Sequence, residues 1–223
     1  VMGILIVRII TILLVAGLSG KGVYASDGRF DVLKAPKPLP KFSLMDQNSA
    51  AFTGKNLVDQ WTLMFLGFTT CPDVCPMTLM KLAHVVEKLK ACVAEPLVPE
   101  VILLAVDPKR DKQNLRKGYL DSFGSHNTAI TGDWEQIDIL VDGLGGTYKF
   151  QNTHTGEHAG HHGYDVIHTT AVYVINPEGA VVGTMGMPWK ASAAVNFLGE
   201  LMSDNALAST SDLNTCVAST NQP

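Results

Sequence analysis

Residues 61–76 read WTLMFLGFTTCPDVCP and combine an apolar run with two closely spaced cysteines. Its first eight residues form an apolar run of strand length, interrupted only by Thr62, which is typical of a strand buried on both faces. From Val74 to Leu89 the apolar residues instead recur every three or four positions, which predicts an amphipathic helix. Cys71 and Cys75 lie where the predicted strand gives way to the predicted helix. The sequence therefore predicts a strand–loop–helix unit with two cysteines at the start of the helix.

Toward the C-terminus, predicted strands and helices alternate, which is the order of an α/β protein. The crossover between the first two long strands is expected to be right-handed, so these strands should be parallel. The helix over 112–123 has Leu115, Tyr119 and Phe123 on one face. The remaining predicted elements are a buried strand over 99–106, helices over 112–123, 134–144 and 191–202, and a hairpin of strands over 171–175 and 180–185.

The ends of the chain differ in composition from its centre. Residues 34–41 read KAPKPLPK, and three prolines in eight residues favour an extended linker over a helix. We therefore expect a linker over 26–41 and a folded domain over 42–202, which opens with a hairpin around the turn 46–48. Residues 203–223 are rich in Ser, Thr and Asn and predict a disordered polar tail.

The N-terminal segment carries a targeting signal. The apolar run from Ile9 to Leu18 is too short to span a bilayer, but it matches the apolar region of a secretory signal, with Arg8 before it. Small residues at Val23 and Ala25 favour cleavage near Ala25 of a signal over 1–25. The alternative is an uncleaved membrane anchor. In both cases we expect export, to the bacterial periplasm, with tethering to the inner membrane in the second.

Charge excludes one class of partner. The chain of 223 residues has 17 basic and 21 acidic residues, for a net charge of −4. It contains no basic patch interleaved with aromatic residues, so we expect no nucleic-acid partner.

Cys71 and Cys75 are four residues apart, so both sulfurs can lie on one helix face. The free N–H groups and the dipole of a helix start stabilise thiolates. Two close thiolates form a disulfide or bind a soft metal: copper(I), zinc or an iron–sulfur cluster. Structural zinc requires four protein ligands, whereas three-coordinate copper needs only one more, which a histidine would supply. The alternative is a structural disulfide or a pair of core cysteines.

Five of the seven histidines lie between residues 154 and 168. His168 is expected at the start of the strand over 171–175, next to the cysteine loop, a reasonable position for a ligand. The other four lie in a Gly-rich stretch that we interpret as a solvated loop, with an accessory metal-collecting loop as the alternative. These four are His154, His158, His161 and His162. His84 and His126 are expected to be surface residues.

The chain resembles the Sco/SenC copper proteins over residues 42–202. The strongest block is GFTTCPDVCP at 67–76, and VDPKRD at 106–111 and PEG at 177–179, after His168 and a strand, add to it. The resemblance implies a thioredoxin-like α/β fold with a central mixed sheet flanked by helices.

The resemblance also implies a copper ion held by Cys71, Cys75 and His168. It implies delivery of copper to the CuA centre of cytochrome c oxidase, or reduction of that centre's thiols. The partner would be the copper-bearing subunit of the oxidase or another copper chaperone, reached from a membrane anchor. Many relatives have an acidic residue directly before the ligand histidine, where this chain has Ile167, and Asp165 is out of register.

Three functions remain open from the residues. The first is a copper metallochaperone, and the second is a thiol–disulfide reductase in which Cys71 and Cys75 form a redox-active disulfide. The third is a peroxidase in which Cys71 reacts with peroxide. His168 distinguishes them, because a copper site uses it and a reductase does not, while a peroxidase leaves Cys75 unexplained.

Two further groups of residues have open roles. Asp107, Arg110 and Asp111 lie at the carboxyl end of a predicted strand, an edge where sites form in α/β sheets. A helix cap and a surface ion pair explain them equally well. Cys92 and Cys216 form a disulfide, as leftover pairs in exported proteins often do, or remain free thiols.

Overall fold

The computed structural model describes residues 29–123, 127–152 and 163–204, which fold around one mixed sheet. The strands are β1 (Arg29–Pro38), β2 (Ser43–Met45), β3 (Ala51–Thr53), β4 (Thr62–Gly67), β5 (Glu100–Ala105), β6 (Asn127–Ile130), β7 (Tyr148–Asn152), β8 (Tyr164–His168), β9 (Val172–Ile175) and β10 (Ala180–Gly186). The helices are α1 (Val74–Lys90), α2 (Gln113–Asp121), α3 (Trp134–Leu144) and α4 (Ala191–Asp204).

The central sheet has six strands in the order β1-β10-β9-β4-β5-β6. β4 pairs in parallel with β5, and β5 in parallel with β6, whereas β9, β10 and β1 pair antiparallel. All six residues of β4 are buried, so the sheet is covered on both faces at its centre. The predictions of an α/β fold, a parallel first pair of long strands and a β9–β10 hairpin are confirmed.

The predicted helices form where their apolar periodicity lies. α1 buries Leu79, Leu82 and Val86 in the core and packs against α4. α3 ends at Gly145, whose φ of 80° is left-handed, a conformation that glycine adopts without strain. Short hairpins complete the fold: β2 with β3 around residues 46–48, and β7 with β8.

The expected linker is wrong over the residues that the structure describes. Residues 29–38 form β1, which pairs antiparallel with β10 at the edge of the central sheet. The strand lies at an edge, so a proline whose missing N–H would point to solvent does not interrupt the ladder. The register shifts between Val32 and Lys37, so Pro36 lies within the irregular stretch and Pro38 at the end of the strand. The folded region therefore extends to Arg29.

The predicted inner face of α2 is partly wrong. Leu115 is 47% exposed, whereas Arg116 is 4% exposed. The guanidinium of Arg116 donates hydrogen bonds to the backbone carbonyls of Asp111, at 2.6 Å, and Asp46, at 3.0 Å. Arg116 therefore faces the interior, where its guanidinium satisfies these two carbonyls, and Leu115 faces solvent.

The predicted signal over 1–25 and most of the polar tail lie outside the described residues. Among the described helices, none is both long and apolar enough to cross a membrane.

Candidate metal centre

Both cysteines of the pair are free and buried at the carboxyl edge of the central sheet. Cys71 is 8% exposed and Cys75 is 1% exposed. Cys75 lies in the first turn of α1, directly over the end of β4. A side chain at Gly67 would bring its Cβ to 2.9 Å from the Cys75 sulfur and 2.8 Å from Leu103. Glycine at this position therefore makes room for the thiol.

The start of α1 makes the two thiols unequal. The backbone N–H of Cys75 donates to the Cys71 sulfur at 3.4 Å. The pKa of Cys71 is lowered far below its ordinary value, chiefly by a hydrogen bond from the Cys75 thiol and further by His168 and backbone N–H groups, against the effect of burial. The same hydrogen bond, together with burial, raises the pKa of Cys75. Cys71 is therefore the thiolate of the pair and Cys75 the protonated donor.

His168 lies against this pair. Its Nε2 atom is 3.8 Å from the Cys75 sulfur, and its ring meets the ring of Phe68 edge-on at 6.0 Å. His168 is the last residue of β8, so its expected position at the start of the following strand is wrong. The β7–β8 hairpin is a separate two-stranded sheet, and its alternation of side chains decides which residues face the cysteines.

The distance between Cys75 and His168 suits two ligands of one metal ion. Two donors at about 120° around a metal, with bonds of about 2.3 Å to sulfur and 2.0 Å to nitrogen as in zinc sites, lie roughly 3.7 Å apart. The observed 3.8 Å is close to this value. Within residues 29–123, 127–152 and 163–204, however, no three His, Cys, Asp or Glu side chains are already arranged to hold a metal. Three-ligand binding would therefore need side-chain rotation.

Asp111 lies directly behind the cysteine loop. It is 1% exposed, and one carboxylate oxygen accepts hydrogen bonds from the backbone N–H of Thr69, at 2.8 Å, and from its hydroxyl, at 2.6 Å. Burial raises the pKa of Asp111 to about 6, against the lowering effect of these hydrogen bonds. Thr69 precedes Cys71 by two residues, so Asp111 fixes the loop that presents Cys71.

Asp107 and Arg110 connect the carboxyl edge of the central sheet to the β7–β8 hairpin, which carries His168. Asp107 is fully buried, forms an ion pair with Arg110, and accepts hydrogen bonds from the Tyr164 hydroxyl at 3.0 and 3.1 Å. The Arg110 guanidinium lies 4.2 Å from the Tyr164 ring centre and also stacks over Phe68. The interpretation of this cluster as a surface ion pair is wrong, because the cluster is buried and connects the cysteine loop to β8.

Thr69 and Tyr164 are positioning residues that the sequence analysis missed. Tyr164 and His168 are four residues apart on one strand, a spacing that places both on the same face. That spacing could have placed Tyr164 beside His168, but only if residues 164–168 had been recognised as a strand.

The other histidines and cysteines of the sequence do not join this site in the described part of the chain. His84 is exposed on α1. Cys92 is disulfide-bonded, so it is not a free thiol. The remaining histidines and cysteines lie outside the described residues: His126, His154, His158, His161, His162 and Cys216.

Comparison with known proteins is consistent with this geometry. A sequence profile of the SCO1/SenC family matches residues 32–203. The mitochondrial SCO2 homologue of Mus musculus is 35% identical over 138 residues, which are 62% of this chain and 52% of that protein. The chain thus spans about half the length of the mammalian mitochondrial relatives that it matches.

Two solved structures extend the comparison. Bradyrhizobium japonicum ScoI, with copper bound, is 29% identical, with a TM-score of 0.62 over 73% of this chain and 98% of that one. BsSco, described with a disulfide switch and as a member of the Sco family of cytochrome c oxidase assembly proteins, is 20% identical, with a TM-score of 0.58 over 79% of this chain and 99% of that one. The second likeness concerns the fold alone. With a family match over most of its length, the chain belongs to the SCO1/SenC family.

Proposed function

We propose that this chain is a copper metallochaperone in which Cys71, Cys75 and His168 hold the copper ion. The observation that carries the proposal is the approach of the His168 Nε2 atom to the Cys75 sulfur at 3.8 Å, beside the second free thiol. Two thiolates and an imidazole form a soft ligand set that suits copper(I) and also binds copper(II). Rotation of the side chains would close the three ligands around the ion.

The ligands are prepared for metal binding in different ways. Cys71 is already a thiolate near neutral pH, whereas Cys75 must lose a proton when the metal binds. The Arg110 guanidinium, paired with Asp107, lies over the rings of Phe68 and Tyr164 and so holds the cysteine loop next to the strand that carries His168. Both cysteines are largely buried, which limits the access of water and oxidants to their sulfurs.

Delivery requires a partner, which we propose to be the copper-bearing subunit of cytochrome c oxidase or another copper chaperone. The description of BsSco as one of the Sco family of cytochrome c oxidase assembly proteins supports this partner class. We also propose that residues 1–25 direct export to the bacterial periplasm, as a cleaved signal or as a membrane anchor, with 205–223 as a polar tail.

The second candidate is a thiol–disulfide reductase that acts on partner cysteines through Cys71 and Cys75. The unequal pKa values of the two thiols favour it, because a stabilised thiolate next to a protonated thiol can attack a disulfide and then resolve the mixed disulfide. The disulfide switch described for BsSco is in accord with this candidate. Both activities can exist in one protein.

Metal analysis together with an absorption spectrum tests the proposal. The reduced protein is loaded with copper(II), and a thiolate-to-copper charge-transfer band is expected with a single bound copper. His168→Ala should weaken copper(II) binding sharply and shift the band, whereas Ile167→Ala, at the exposed neighbouring position on the other face of β8, should leave the band unchanged. An identical stoichiometry and spectrum in His168→Ala would remove His168 from the site. Failure to bind copper, with a measurable cysteine redox potential, would favour the reductase.

A further inference from the structure

The solvent-facing side of α1 carries two methionines and a histidine in a row along the helix. Met77 is 41% exposed and Met80 is 56% exposed, and His84 is also exposed. The three positions are three and four residues apart, so they are successive neighbours on one helix face. Cys75, two residues before Met77, is buried on the other side of the helix. This row is therefore separate from the proposed thiolate site.

The chemistry of these side chains is that of soft-metal ligands. Thioether sulfur selects copper(I), and imidazole binds copper well. Among the described residues, His84 takes part in no hydrogen bond or ion pair, so both ring nitrogens are available. Asp73 is exposed four residues before Met77 and adds a negative charge that attracts a cation.

We propose that Met77, Met80 and His84 form a second, surface copper(I) site on α1. Met80 and His84, at an i to i+4 spacing, provide a thioether and an imidazole, and Met77 adds a second thioether. Helical side chains lean toward the N-terminus of their helix, so the bound ion lies toward the end of α1 where Cys71 is held. Thioethers are neutral, so this site binds copper(I) more weakly than the thiolates do. It would collect copper for the thiolate site.

This second site uses no cysteine, so it can be tested without the first. The test uses the Cys71→Ser/Cys75→Ser protein with 13C-labelled methionine methyl groups. Silver(I) replaces copper(I) as a diamagnetic probe, and copper(I) is added in a second titration. The methyl signals of Met77 and Met80 are expected to shift together and to saturate, and the His84 ring signals to shift with them. Met45, which is 48% exposed on β2, is the matched control and should not shift.

Replacing the thioethers by Leu distinguishes metal binding from a merely apolar surface. Met77→Leu/Met80→Leu, in the same Cys71→Ser/Cys75→Ser protein, keeps the apolar area and the helix propensity but removes both thioether sulfurs. The expected result is loss of the silver(I)-induced shift of the His84 ring signals, a ring which both proteins retain. Unchanged silver(I) affinity, or shifts of Met77 and Met80 no larger than that of Met45, would overturn the proposal. Silver(I) bound only by other histidines, including those at 154–162, would leave these methyl signals in place and count against it.

Discussion

The Nδ1 atom of His168 lies 2.9 Å from the carbonyl oxygen of Thr169. A carbonyl can only accept a hydrogen bond, so Nδ1 carries a proton, and Nε2 is the ring nitrogen directed at the thiols and available to a metal ion. Carboxylates, backbone carbonyls and waters commonly orient ligand histidines in this way. The Thr169 carbonyl thus orients the His168 ring from the backbone. Ile167 and Asp165 lie on the opposite face of β8, where their side chains are exposed.

Ile167→Asp should therefore change copper binding little. The new carboxylate would lie on the solvent side of β8, while the Thr169 carbonyl still holds Nδ1. We expect the 15N chemical shifts of the His168 ring to report the same tautomer in both proteins, and the copper(II) affinity to agree within about a factor of three. Groups that hydrogen-bond to a ligand histidine typically change metal affinity about tenfold or more. A gain of about tenfold in copper(II) affinity in Ile167→Asp would therefore mean that the Thr169 carbonyl alone orients His168 poorly.

Cys75→Ala should make Cys71 a weaker acid. The hydrogen bond from the Cys75 thiol is the largest cause of the lowered pKa of Cys71, so its removal raises that pKa. In the parent protein the Cys71 thiolate should persist in mildly acidic solution, and its alkylation by iodoacetamide should change little as the pH falls from neutral. In Cys75→Ala the alkylation rate should fall as the pH falls.

Cys75→Ser is the control for that measurement, because its hydroxyl can still donate to the Cys71 sulfur. Its pH profile should lie between those of the parent and Cys75→Ala. Identical profiles for all three proteins would show that the start of α1, and not the second thiol, controls the acidity of Cys71.

Asp111→Asn should remove a pH dependence of stability. The pKa of Asp111 is raised from 3.8 to about 6, so the folded protein binds this proton more tightly than the unfolded chain does. The resulting stabilisation is complete below about pH 4 and is lost as the pH rises through about 6. A shift of this size corresponds to about 3 kcal/mol in the free energy of unfolding.

Urea unfolding of Asp111→Asn and of the parent at about pH 4.5 and pH 7.5 measures this effect. The variant should gain stability relative to the parent at the higher pH, since Asn still offers an oxygen to Thr69 without a buried charge. Asp121→Asn, an exposed position at the end of α2, makes the same change in charge and should show no such gain. Equal pH dependence in both variants would refute the assignment to Asp111.

The cysteine unit was predictable because its signals are local. The apolar run before Cys71 and the helical period after Cys75 determine strand, loop and helix without distant contacts. β1 was missed because its prolines indicate a linker, and only pairing with β10 across the sheet makes them part of a strand. β6 was missed because Asn127 and Thr128 interrupt the apolar pattern of a short edge strand.

The residues around the site are held by contacts between distant parts of the chain, which the spacing of residues in the sequence does not reveal. Asp111 and Thr69 are 42 residues apart, and Tyr164 is 57 residues from Asp107. The sequence indicated that Asp107, Arg110 and Asp111 lie at a sheet edge. It did not show that they are buried there, because burial of a charge depends on the partners that the fold supplies.

Tyr164→Phe should destabilise the protein through Asp107. The single hydroxyl hydrogen is shared between both oxygens of a fully buried carboxylate, and a hydrogen bond to a charged group contributes about 1.5–3 kcal/mol. Tyr148→Phe is the matched control on the facing strand, because its hydroxyl donates to the exposed Asp138. We expect Tyr148→Phe to lower the free energy of unfolding by about 1 kcal/mol or less. Equal losses in urea unfolding would contradict the role of Asp107.

Gly67→Ala should disturb the thiol pair more than it disturbs the fold elsewhere. Its Cβ would lie 2.9 Å from the Cys75 sulfur and 2.8 Å from Leu103, so the sulfur or the strand must move. We expect weakened copper binding and a loss of stability of about 1–3 kcal/mol, as for other overpacked cores. Gly118→Ala is the control, because no atom lies within 4 Å of its added Cβ and α2 should gain about 0.8–1 kcal/mol. Copper titration and urea unfolding of both variants separate the two effects, and unimpaired copper binding in Gly67→Ala would mean that the Cys75 thiol can relocate freely.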